Sequence, residues 1–163
     1  MERTICNCYL CKLNCKTIPG YLIPTDLLII SKHFNYNYNI LKFTEEYLLA
    51  SPGAIVQRGD KIFRIHTLVP RRNEKGYCIF FTEDEKCSIH EISPFGCRYF
   101  DHSQTKEEAD KRSKIGLNSI MEVTTESQVY KSLIYILVEE GLISPAPEIL
   151  KEERKINYER KTN

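Results

Sequence analysis

The chain has no apolar run near the roughly 20 residues a membrane helix needs. Its longest, Leu27-Leu-Ile-Ile30, reads as one face of a helix. It has no charge excess either: the formal net charge is +1, so nothing general points to nucleic acid or an anionic membrane as partner. The local basic run Arg58, Lys61, Arg64, Arg71, Arg72 and Lys75 reads as a solvated face. Met1-Glu-Arg-Thr-Ile5 has no apolar leader segment, so the expected location is the cytosol, where thiols stay reduced. Neither G-x-x-x-x-G-K-[ST] nor G-x-G-x-x-G occurs, which removes two phosphate-cradling readings. No internal repeat, low-complexity linker or domain boundary is visible, and the last 66 residues hold no cysteine.

What is there is sulfur. Seven cysteines fall into two blocks, Cys6, Cys8, Cys11 and Cys15, then Cys78, Cys87 and Cys97. An odd number cannot pair completely into disulfides. In a reducing compartment, clustered cysteines act as ligands or redox groups more often than as cross-links.

With 163 residues, 42% hydrophobic and 28% charged, the chain is sized for one soluble domain with a real core. Pro24-Thr25-Asp26 opens a short helix with Leu27, Ile30 and Phe34 on one face. A second helix is expected over Asn39 to Leu49, stopped by Ser51-Pro52-Gly53. Ala54 to Gln57 and Lys61 to Val69 read as strands joined at Arg58-Gly59-Asp60. A second hairpin is expected from Tyr77–Thr82 to Lys86–His90, with Cys78 and Cys87 on its arms. Gln104 to Glu122 and Ser127 to Leu142 read as helices, the latter turning Val129, Leu133, Ile136 and Leu137 inward. The expected fold is therefore α+β: a mainly helical single domain, residues 1–147, with one or two small β-hairpins and a cysteine-ligated metal centre. Residues 148–163 are expected to be a helical or disordered tail.

Thiolates hold zinc or iron–sulfur clusters because they are soft, charged donors, and a site normally needs four, or three plus an exchangeable ligand. Cys8-x2-Cys11 lets two sulfurs converge from one turn, and Cys11-x3-Cys15 brings a third from the next. Cys6-x-Cys8 fits less well, because alternate residues of an extended segment face opposite sides. In the second block, Cys78 and Cys87 can approach across a hairpin, and Cys97 arrives from a Pro-Phe-Gly turn. The simplest arrangement brings both blocks to one site, tying the N-terminal segment to the hairpin and making the centre a staple of the fold. His90 reads as a neighbour of the ligands rather than as one of them, and His102, close after Cys97, as a weaker candidate for contact. His33 and His66 read as structural. Arg98 reads equally as a counter-charge to the centre or as an exposed cation.

The order Cys8-x2-Cys11-x3-Cys15, Gly76-Tyr-Cys78-Ile-Phe-Phe and Cys87-Ser-Ile-His-Glu-Ile-Ser-Pro-Phe-Gly-Cys97-Arg-Tyr-Phe resembles the YkgJ-like cysteine-cluster family, described as a zinc- or iron-chelating domain. The resemblance covers about residues 6 to 101 and implies Cys8, Cys11, Cys15, Cys78, Cys87 and Cys97 as metal ligands. Where the family has a cysteine doublet, this chain has Lys16 after Cys15, so the set is one thiol short unless Cys6 substitutes. The resemblance leaves zinc and an iron–sulfur cluster both open as cofactor.

The expected function is a cytosolic metal- or iron–sulfur-binding protein whose centre is structural, redox-active or both. Its partner would be a protein or substrate of unspecified kind. Flagellin lysine N-methylases contain a similar cysteine-cluster region, which implies an enzymatic alternative: protein modification with an iron–sulfur centre. A third reading is a structural zinc module that serves as an interaction scaffold. No cysteine–histidine pair is selected locally for nucleophilic catalysis.

Overall fold

A computed structural model describes residues 1–3, 8–146, 149, 150 and 152. Among them lie six α-helices and one antiparallel hairpin. The helices are α1 (Tyr9–Thr17), α2 (Pro24–His33), α3 (Ile40–Tyr47), α4 (Phe95–Arg98), α5 (Lys106–Met121) and α6 (Thr125–Glu139), and the strands are β1 (Leu48–Arg58) and β2 (Lys61–Pro70). A single 3-10 turn, His90–Ile92, precedes α4. No helix among the described residues is long and apolar enough to cross a membrane.

All the helices but α4 start where a local side chain satisfies an amide left free at the first turn. Cys8 caps α1, Asn39 caps α3, and α5 opens with a reciprocal box of Thr105 and Glu108. Thr124 and Ser127 do the same for α6. In α2, Pro24 stands in the first turn and the Asp26 carboxylate accepts from the Ile23 amide at 3.1 Å.

Two expectations about the first half are corrected. The second helix stops at Tyr47, because Leu48 and Leu49 pair with Pro70 and Val69 and so begin β1. Ser51-Pro52-Gly53 is not a helix stop but an irregularity within β1, with the register shifting between Ser51 and Ala54. Proline cannot donate to the ladder. Gly53 has φ +68°, and a Cβ there would lie 1.9 Å from the Ile65 carbonyl oxygen.

The hairpin lies against α3 and α6, and α6 also packs on α2 and α5. The inward stripe of α6 is Ser127, Tyr130, Leu133, Ile134 and Leu137. Val129, expected inside, is exposed, because the 3.6-residue period aligns positions 130, 133, 134 and 137. Tyr130 is fully buried, and its hydroxyl accepts from the Leu68 amide at 2.7 Å and donates to the Leu22 carbonyl at 2.5 Å. That phenol locks the segment leading into α2 onto β2. A second cluster of rings, Phe34, Phe43, Tyr47 and Phe80, stacks with centroid separations of 5.1–6.2 Å. Phe80 carries the packing from this core to the cysteines.

Candidate metal centre

The expected second hairpin is not a ladder of strands. Residues 72–80 and 81–89 form the same nine-residue turn unit twice in succession. In the first, Asn73 N–H donates to Tyr77 O (2.7 Å), Gly76 N–H to Asn73 O (2.8 Å) and Phe81 N–H to Cys78 O (2.9 Å). In the second, Thr82 N–H donates to Lys86 O (2.8 Å), Glu85 N–H to Thr82 O (3.1 Å) and His90 N–H to Cys87 O (3.1 Å). Gly76 and Glu85 hold the equivalent position with φ +75° and +58°. Pairing in the segment is reduced to the bridges Arg72–Cys78 and Phe81–Cys87.

The unit has a chemical consequence. In each copy the cysteine starts a tight turn, so the amide two residues later faces its sulfur. The Phe80 and Phe81 amides approach the Cys78 thiol, and the Ile89 amide approaches that of Cys87. Phe80 and Ile89, the residues two after each cysteine, are 3% and 2% exposed. Core burial therefore anchors both turns at the same point, and the thiols are held at fixed places relative to each other.

Cys97 comes from a different device. Pro94 precedes α4, and Phe95, Gly96 and Cys97 make its only turn. Gly96 donates to Tyr21 O at 2.9 Å, and Gly20 N–H donates to the Cys97 sulfur at 3.2 Å. The two backbones nearly touch: a Cβ on Gly20 would lie 2.1 Å from Gly96 C, and one on Gly96 2.5 Å from Tyr21 N. Only glycine allows that approach. The turn is also fixed from below by buried Asp26, whose carboxylate accepts from the Phe95 amide at 2.7 Å and pairs with the Arg98 guanidinium. Arg98, weighed in the sequence as a counter-charge to the centre or an exposed cation, is instead largely buried and bound to Asp26.

Cys15 comes from the last turns of α1. Its neighbour Lys16 joins that helix to the first turn unit, its carbonyl accepting from Cys78 N–H at 2.7 Å. The Lys16 ammonium points elsewhere, 4.2 Å from the centroid of the Tyr77 ring.

These segments enclose a small cavity of about 110 Å³ lined by Cys11, Cys15, Cys78, Cys87 and Cys97, with Phe80, Phe81 and Ile89 among its apolar walls. Thus five of the six candidate ligands from both blocks, separated by more than 60 residues of chain, face one space. Burial raises the proton affinity of Cys15, Cys78, Cys87 and Cys97, with Cys78 pushed up to about 12. Cys97, half-buried as a residue but with its sulfur turned inward, is raised well above the ordinary thiol value, first by desolvation and then by the neighbouring thiols. Every pair among these four thiols is close enough for one negative charge to disfavour the other. The opposing influences are the amides described above and Arg3, whose charge favours the thiolates of Cys15 and Cys87. Arg3 is held in place by the His90 and Glu91 carbonyls and the Ser93 hydroxyl.

The sixth candidate, Cys8, lies beside a different group. The Cys8 sulfur is 3.2 Å and the Cys11 sulfur 3.5 Å from His102 Nδ1, and all three donor atoms lie within 4.8 Å of one another. Among the described residues this is the compact trio of potential metal donors. His90 lines the four-thiol cavity but engages Arg3 through its carbonyl. His33 and His66 are exposed on α2 and β2, and neither lines the cavity. Cys6 lies outside the described residues.

Sequence reasoning missed Arg3, the Asp26 contacts with Phe95 and Arg98, and the Gly20–Gly96 contact, and it ranked His102 low. Asp26 as a helix start and Gly96 in a Pro-Phe-Gly turn carried local signals, but those signals announce a helix and a turn without their distant partners. No protein-family model, curated protein or solved structure matches this chain.

Proposed function

We propose that this is a metal-binding protein in which Cys15, Cys78, Cys87 and Cys97 hold an iron–sulfur cluster, with the N-terminal Cys8 and Cys11 beside it in the same metal-binding region. The observation that carries the reading is the convergence of four thiols, from α1, two successive turn units and α4, on one cavity. Without a cation the arrangement is unfavourable, since each thiolate is desolvated and each opposes the others. A bound positive centre reverses both costs, and the amides aimed at Cys78, Cys87 and Cys97 stabilise anionic sulfur more than the neutral thiol.

Donor spacing supports a cluster over one zinc ion. Zinc–thiolate bonds of about 2.3 Å set tetrahedral sulfur–sulfur edges of about 3.8 Å. Among the described residues, the donors close enough for one ion are Cys8, Cys11 and His102 rather than the four around the cavity. A set of four cysteine thiolates at wider spacing is what a cluster takes. The resemblance of both cysteine blocks to the YkgJ-like family points the same way as far as metal binding goes. Because the ligands come from remote segments, the centre is also structural: it pins α1 and α4 to the turn units.

The test is elemental analysis and visible absorption of protein prepared without oxygen. The expected result is a brown protein containing iron and acid-labile sulfide. Stoichiometric zinc in a colourless protein would replace the cluster with zinc at these thiols. A protein that takes up neither metal after reconstitution would overturn the reading.

A further inference from the structure

We propose that Cys8, Cys11 and His102 form a second metal site, distinct from the four-thiol cavity, that takes a single divalent borderline ion of the zinc class. The proposal rests on the reading above that the cysteines of this chain bind metal, and it divides them between two centres of different kind.

Donor type is the first argument. Two thiolates and an imidazole are a mixed sulfur–nitrogen set, which suits zinc and its cobalt analogue, whereas clusters are held chiefly by thiolates alone. Spacing is the second. Zinc bonds of about 2.3 Å to sulfur and 2.0–2.1 Å to nitrogen require donor separations of about 3.5–3.8 Å, and His102 Nδ1 lies 3.2 and 3.5 Å from the two sulfurs. Small side-chain adjustments bring the trio to bonding distance, with the fourth corner of the tetrahedron taken by a donor outside the trio. Charge is the third: two thiolates and a neutral imidazole balance one divalent ion.

The backbone prepares the same place. Cys8 is the N-cap of α1 and Cys11 lies one turn in, with the Cys11 amide 3.5 Å from the Cys8 sulfur. His102 is presented by a turn after α4, in which the Asp101 carboxylate accepts from the Ser103 amide at 2.8 Å and its hydroxyl at 2.7 Å. The Gln104 side-chain amide closes the turn by donating to Tyr99 O at 2.8 Å. The imidazole is therefore held out toward α1 by a built loop.

Position gives the site a role. Cys8 and Cys11 are half-buried and His102 is exposed, so the ion would sit at the protein surface. Cys11 and Asp101 also line the four-thiol cavity. An ion here clasps the start of α1 to the loop after α4 across the rim of that cavity, and it holds Cys15, one turn further along α1, toward the other thiols.

The test uses the full chain, prepared without oxygen, titrated with cobalt(II) and followed by its d–d and sulfur-to-cobalt absorption, alongside iron and sulfide content. Wild type should bind one cobalt in addition to its cluster. His102→Ala and Cys8→Ser should weaken that cobalt by on the order of 100-fold or more, beyond the 10–100-fold typical of losing a ligand's hydrogen-bond partner, while iron content stays the same. His102→Cys should restore binding with stronger sulfur-to-cobalt absorption, an outcome a merely structural histidine would not produce. Unchanged cobalt uptake by both variants, in protein that still carries its cluster, overturns the second site alone. So does a Cys8–Cys11 disulfide in anaerobic wild type with no divalent ion bound, which would make the pair a redox couple. Absence of every metal from wild type would instead defeat the underlying reading.

Discussion

Replacing Gly20 by alanine should destabilise the metal-free protein, although the change looks benign. Gly20 does not have positive φ, so alanine meets no backbone penalty there. On unfolded-chain entropy alone the substitution should stabilise by about 0.4–1 kcal/mol. The opposing effect is steric. The new methyl carbon would sit 2.1 Å from Gly96 C and 2.5 Å from both Gly96 O and Cys97 N, all backbone atoms that cannot rotate away. Relieving those contacts means separating the two segments by about 1 Å, a shift large for a packed interior. Overpacking of this kind costs about 1–3 kcal/mol. The shift also stretches the Gly96 N–H bond to Tyr21 O and the Gly20 N–H bond to the Cys97 sulfur, at about 1 kcal/mol net for an ordinary hydrogen bond. The expected balance is a loss of about 2–4 kcal/mol by urea unfolding of the metal-free form. Gly59→Ala is the control: it has φ +60° and open space around it, so its cost should stay near the 1–2 kcal/mol of a left-handed residue. In the loaded protein, Gly20→Ala should also release metal more readily, because Cys97 moves with Gly96. A Gly20→Ala protein as stable as wild type, with an unchanged midpoint and slope, would show that the close approach of the two backbones is not what fixes Cys97.

Two further outcomes follow from the buried charges and thiols. Asp26→Asn leaves the Arg98 cation without its anion inside the fold and should cost about 3–5 kcal/mol, measured by thermal or urea unfolding. Wild-type stability in that variant would mean the pair is not formed. In the metal-free protein, burial raises the proton affinity of Cys15, Cys78, Cys87 and Cys97, the first of these causes being desolvation and the second, for Cys15 and Cys97, the neighbouring thiols. A thiol whose folded value is raised adds stability below the ordinary value of 9.0 and loses it as pH climbs through the folded value, about 12 for Cys78. Urea midpoints of the metal-free protein should therefore fall between pH 9 and 12, and thiolate absorbance should develop later than in the unfolded chain. Metal binding must displace these protons, so loading should weaken as pH falls. A midpoint independent of pH across that window would contradict the burial of these sulfurs.

The local signals in the sequence were good where neighbours in the chain decide the structure. Pro24 and Asp26 start α2, Gly59 turns the hairpin, and the apolar period of Leu133 and Leu137 turns one face of α6 inward, because capping, turn geometry and helical period act within a few residues. They failed where a distant partner decides. Leu48 and Leu49 have helical character yet join β1, since Pro70 and Val69 offer them a ladder. The repeated turn units were invisible because Asn73 and Thr82, or Gly76 and Glu85, do the same backbone work with different side chains.

By itself the sequence determined that seven thiols, an odd number that cannot pair completely into disulfides, stand in two blocks at ligand-like spacing. Spacing follows from covalent reach, so it can be read along the chain. Only the tertiary structure decided that Cys15, Cys78, Cys87 and Cys97 share one cavity, that Cys11 lines its edge and stands with Cys8 beside His102, and that Arg3 rather than Arg98 faces the sulfurs. Those choices depend on where Asp26, Phe80 and the crossing of Gly20 with Gly96 set distant segments against each other. Packing of that kind is a property of the closed fold that no window of sequence contains.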